Sequence, residues 1–253
     1  MKVLQDTWTI FHYNMRNTLR NPIFVIMGLF QPLCFLFLFA PLLTELSQTS
    51  YFSGSNALSI FIPGLLIMMG LYGPSYLGFK LIDEVRIGLI ERLWVSPVSR
   101  LSLVLGRALR DVIILLCQAL LLLILAYFKG LEASLTGILL SLGLTMLVGI
   151  TLSSCSYILA LMFKEEEALA ATINFFVLPL QLLSGITLPL TLAPAWLKTV
   201  ANFNPLSHTV DGARALFTGN FTNTSVIISF VLMLVLATLA LHTLIKTYRS
   251  RAV

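Results

Sequence analysis

The chain has 253 residues, of which 58% are hydrophobic and only 11% charged, with a formal net charge of +5. A soluble domain carries roughly 25% charged residues, so too little charge is present to clothe a water-facing surface, and the mean hydropathy of +0.94 agrees. These figures exclude a soluble enzyme or binding module and point to an all-α integral membrane protein.

In chain order, the first predicted element is residues 1–20. Leu4, Trp8, Phe11, Met15 and Leu19 form a helical stripe, while Lys2, Asp6, Arg16 and Arg20 fall off it. The pattern predicts an amphipathic helix lying in the membrane interface; a plain lead-in to the first span is the blander reading. The first apolar run lacks a small-residue cleavage site, so no removable signal peptide is expected. Uncharged runs then cover 21–44, 46–79, 112–128, 133–163, 168–197 and 215–245. A crossing takes about 20 mostly apolar residues, which predicts six transmembrane helices over 22–43, 58–79, 103–128, 134–162, 168–187 and 224–246. Continuous runs such as ALLLLILAY speak against a transmembrane barrel. The third span, begun near Leu103, carries Arg107 to Asp111 at the interface, and the span interiors are expected to be almost free of ionisable groups.

Between the second and third spans lies IERLWVSPVSR, residues 90–100. Ile87, Ile90, Leu93 and Trp94 make an apolar stripe, Glu84, Arg86, Glu91 and Arg92 stay polar, and Pro97 disfavours helix at Ser96. A short amphipathic helix over 84–96 is expected. Aromatic and Arg anchors dominate docking surfaces, although a helix resting on lipid has the same composition. Glu165, Glu166 and Glu167 begin the fifth span, where the helix dipole favours them. Between the fifth and sixth spans, residues 188–217 are apolar, yet Pro189, Pro194 and Pro205 forbid one uninterrupted helix. The expectation is two short re-entrant helices, buried in protein or lining a cavity, acting as an outer gate; an amphipathic cap on the outer surface is the alternative.

Orientation follows from the basic residues. Thirteen of the 16 Lys and Arg fall on one side, and only Lys129, Lys198 and Arg214 on the other. Both termini and the 84–96 segment are therefore expected in the cytoplasm. The surplus positive charge is topological and lipid-facing, and no nucleic-acid partner is expected. Cys34, Cys117 and Cys155 fall within spans and suit packing rather than a disulfide frame. His12, His208 and His242 are scattered. No zinc signature, no nucleophile elbow and no P-loop occurs, so the chain is not expected to be an enzyme or to bind a cofactor or metal, and any ATP-driven motor must be another polypeptide.

The motif ERLWVSPVSR and the later LPLTLAPAWLKTVANFNPLSHTVDGARALF, with Asn204-Pro205 and Asp211 to Arg214, resemble the signatures of ABC-2 type membrane subunits. The likeness extends over the whole chain as a single transmembrane domain and is nearest to daunorubicin-type drug-exporter permeases. The resemblance implies a permease of a bacterial inner membrane that homodimerises, or pairs with a second permease, and works with two copies of a separate ATPase subunit that uses ATP and Mg. The 84–96 segment would be a coupling helix, with Arg86, Ile90, Glu91, Arg92, Leu93, Trp94 and Pro97 at the ATPase. Phe24, Phe35, Phe175 and Phe176 would present aromatic surface to a hydrophobic or amphipathic cargo. Pro189, Pro194, Trp196, Asn204 and Pro205 would form the outer gate. Export of a lipid-linked polysaccharide is the alternative, and a membrane-embedded enzyme a remote one.

Overall fold

The structure is a computed structural model, which describes residues 2–46, 57–94, 98–186, 190 and 193–250. Among them are eleven α-helices and no strand: α1 (Lys2–Arg20), α2 (Ile23–Leu46), α3 (Ala57–Ser75), α4 (Leu77–Arg86), α5 (Leu89–Trp94), α6 (Arg100–Phe128), α7 (Leu135–Phe163), α8 (Glu166–Leu182), α9 (Ala195–Ala201), α10 (Pro205–Phe217) and α11 (Thr224–Ser250). Four stretches of the described residues are long and apolar enough to cross a membrane: 58–86, 100–128, 135–163 and 224–248. In α2 the described apolar stretch is Gly28–Leu38, and α8 has 17 residues. It is shorter than the expected 168–187 because the chain turns at 183–186, with Gly185 at φ +72°.

Local chemistry sets the ends of the long helices. Ser99 and Ser134 sit in extended backbone and accept from Ser102 N and Gly137 N, each at 3.1 Å, capping α6 and α7. Such caps satisfy backbone donors that a helix start leaves orphaned. Lys164 ends α7 in the left-handed region at φ +57°.

The helix α7 is the hub, packed against α3, α4, α6, α8, α10 and α11. The rod α3–α4 is the most enclosed span, with 83% of its apolar window buried. Its backbone breaks at Tyr76, two residues after Pro74. Proline lacks the amide hydrogen that helix continuity needs, and α7 repairs the break. Ser156 Oγ donates to Ser75 O (2.5 Å) and accepts from Gly78 N (2.9 Å). The approach requires glycine, because a Cβ at Gly78 would lie 2.6 Å from Ser156 O.

Finally, α1 packs along α6. It buries Ile10, Phe11, Asn14 and Thr18 and leaves Leu4, Trp8 and Leu19 exposed beside its polar face. It is therefore three-faced, with one face for protein, one apolar face free and one polar.

Candidate functional site

Three groupings of side chains stand out. The first is the exit of α4 into α5. The 84–96 segment is not one helix: Glu84 and Arg86 finish α4, Gly88 turns the chain at φ +69°, and α5 covers only Leu89–Trp94. Only glycine takes that backbone conformation without strain. Ile90 is 2% exposed and belongs to the core, whereas Glu91 and Arg92 are exposed and Leu93 is half-buried. Arg86 reaches back to pair with Glu166 at the start of α8. The side chain of Trp94 and the whole of Pro97 lie outside the described residues.

The second grouping was not expected from the sequence. Arg107, Arg110 and Asp111 are buried within the protein. Arg107 pairs with Glu84 of α4, also buried, at 2.5 Å. Arg110 is bonded to Asp111, and its Nη2 donates to Tyr157 Oη of α7 at 2.8 Å. Tyr157 in turn donates to Asp111 Oδ2 at 2.7 Å. From α1, Thr18 Oγ1 accepts from Lys80 Nζ at 3.0 Å and Arg110 Nη1 at 3.5 Å. The Arg107 guanidinium lies 5.9 Å from the Tyr157 ring centre. One charge cluster thus ties together α1, α4, α6 and α7. Burying ions costs several kcal/mol each unless they are paired and hydrogen-bonded, so the cluster holds only as a set. The partners are separated by 23 and 46 residues, which no local pattern reveals.

The third grouping is at the opposite end. Pro194 caps α9 and Trp196 is exposed on it. Asn204 accepts from Leu206 N (3.0 Å), and Pro205 fills the first turn of α10. The Asn204 amide also donates to Leu180 O (2.8 Å), and Arg214 donates to Gly185 O (2.7 Å) and Ile60 O (3.1 Å). Asn204 and Arg214 thereby satisfy carbonyls at the end of α8, in the turn after it and in the first turn of α3. Partial burial raises the Asp211 carboxyl above its ordinary value, opposed by Arg214 and His208. Burial lowers Arg214, with Asp211 opposing. Pro189 lies outside the described residues.

Of the four candidate pathway aromatics, Phe175 and Phe176 are 72% and 58% exposed and meet edge-to-face at 5.2 Å. Phe35 is half-buried against the core, and the side chain of Phe24 lies outside the described residues. Beside the pair runs a polar seam missed in the sequence. Tyr72 donates to Gln181 and Tyr76 donates to Asn174 Oδ1 (2.8 Å), joining α3 and its junction with α4 to α8.

A chain whose described residues are helical, with four candidate spans, has the build of a membrane-embedded helical protein. Residues 5–218 match the ABC-2 type transporter family, and the chain belongs to that family of membrane transport subunits, which are not themselves catalytic. It is similar to the transport permease ycf38 of Cyanophora paradoxa (29% identical, covering 78% of this chain and 69% of the relative) and to that of Pyropia yezoensis (30%, covering 83% and 74%). It is also similar to the daunorubicin resistance ABC transporter permease protein DrrB1 of Streptomyces coeruleorubidus (23%, covering 71% and 66%).

Proposed function

We propose that this chain is the permease subunit of an ABC exporter that moves a hydrophobic or amphipathic compound out of the cytoplasm or inner leaflet, with a separate ATPase as motor. The carrying observation is α5, which anchors Ile90 in the core and turns Glu91 and Arg92 outward at the exit of the α3–α4 rod. An apolar anchor with exposed charges suits docking into a groove. In this reading α2 and α8 add two crossings to the four candidate spans, and two copies of the chain pair with two ATPase subunits in a bacterial inner membrane. The α1 and α5 end faces the cytoplasm, as the basic-residue bias favours, while α9 and α10 close the outer end. A push on α5 reaches α8 through the Arg86–Glu166 pair and α6 through Glu84–Arg107.

The test is co-purification with a candidate ABC ATPase subunit from the same organism. Glu91→Ala/Arg92→Ala is expected to weaken binding by about tenfold, as loss of one to two docking anchors does. Unchanged binding after deletion of residues 89–94 overturns the assignment of α5.

A second reading, export of a lipid-linked oligosaccharide, is favoured by the Tyr72–Gln181 and Tyr76–Asn174 pairs, which offer stacking rings and amides. Transport assays on two variants separate the readings. Phe175→Ala/Phe176→Ala is expected to impair export of an aromatic drug, whereas greater damage from Tyr72→Phe/Asn174→Ala to export of a glycolipid would favour the second.

A further inference from the structure

The charge cluster is not electrically balanced. It contains three cations, Lys80, Arg107 and Arg110, and two carboxylates, Glu84 and Asp111. Each arginine holds one carboxylate in an ion pair. The surplus charge is at Lys80, which makes no ion pair among the described residues and whose contact is the Thr18 hydroxyl at 3.0 Å. An ammonium has three donors, so two remain open. Lys80 is also the half-exposed member of a set whose other charged side chains are all buried.

Both carboxylates near Lys80 are held by arginines, Glu84 by Arg107 and Asp111 by Arg110. On α4, Glu84 belongs to Arg107, and Asp83 is exposed and forms no ion pair with Lys80. On α1 no acidic residue follows Asp6. The helix α1 packs along α6 and α4 packs against α7; the Lys80–Thr18 bond links α4 to α1, and Arg110 of α6 shares the same hydroxyl. The result is a basic edge with a hydroxyl beside it. Lys80 precedes the end of α4 at Arg86 by six residues, a rise of about 9 Å. With α1 in the interface, that is the depth of phospholipid headgroups.

We infer that the half-exposed Lys80, where α4 meets Thr18 of α1, binds the phosphate of an anionic phospholipid headgroup, with Lys80 as its cation and Thr18 as the hydroxyl beside it. The surplus charge selects an anionic over a zwitterionic lipid, since a surface cation gains about 1 kcal/mol from anionic lipid. The depth argument rests on the proposed placement of α1 in the interface. The binding test is carried out in detergent and does not depend on which side of a membrane this end faces, so its failure leaves the transport reading standing.

The full chain in neutral detergent is titrated with phosphatidylglycerol, phosphatidylcholine or inorganic phosphate at matched phosphate concentration, and the thermal midpoint is followed. Phosphatidylglycerol is expected to raise the midpoint, as any ligand of the folded state does, and Lys80→Gln to shrink that rise at least about threefold. Lys80→Arg keeps the rise, and Lys246→Gln, which removes an exposed cation of α11, keeps it too. A full rise in Lys80→Gln overturns the proposal, as does an equal rise with phosphatidylcholine. An equal rise with inorganic phosphate assigns the site to free phosphate and overturns the lipid. Should Lys80→Gln fail to fold, Thr18→Val is read the same way, together with native mass spectrometry of lipid retained by the wild-type chain. No retained phosphatidylglycerol overturns the proposal.

Discussion

Arg107 and Glu84 show how far a single residue can depart from its local sequence context. Within a window around Arg107 three charges in five residues suggest a wet interface. Yet Glu84 and Tyr157, far away in the chain, make a buried position tolerable. Removing one member of such a pair leaves an uncompensated buried charge, which costs about 3–5 kcal/mol. Arg107→Leu is expected to lower stability by that order in detergent unfolding. Arg107→Leu/Glu84→Leu should recover most of the loss, because the stranded carboxylate is removed as well. A double variant no more stable than the single one would show that the pair contributes through its wider network.

At the scale of elements, the amphipathic stripe made α1 legible, and apolar run length made α6, α7 and α11 legible, to within a few residues. The expected helix over 84–96 failed at one residue: Gly88 turns the chain, and its effect depends on a backbone conformation that hydrophobic periodicity does not encode. In the same way, proline explains why 188–217 is not one helix, but not that Asn204 and Arg214 would close the end of α8. The division at Gly88 gives Arg86 a place apart from α5, bonded to Glu166. Both side chains are about half exposed, and exposed ion pairs contribute roughly 0–1 kcal/mol. Arg86→Glu is therefore expected to leave stability nearly unchanged while impairing transport, and Arg86→Glu/Glu166→Arg to restore it. Transport that stays wild-type in Arg86→Glu, or unfolding in that variant, would remove the pair from the path between α5 and α8.

For the whole molecule, the proposed six-crossing orientation makes a labelling prediction. In a chain with Cys34, Cys117 and Cys155 replaced, a cysteine at Asn220 should react with an impermeant maleimide in intact cells, and one at Asn17 only after permeabilisation. The opposite pattern would invert the topology. The repaired break in the central rod adds a mechanical consequence. The helix α4 has ten residues and α3 has 19, arms of about 15 and 28 Å at the usual helical rise. Tyr76, splinted by Ser156, is the fulcrum of an unequal lever whose short arm ends beside α5. Any tilt about that fulcrum moves the far tip of α3 roughly twice as far as the near tip of α4. Leverage, set by where one proline falls in a rod, would let a small stroke at one end open a wider gap at the other.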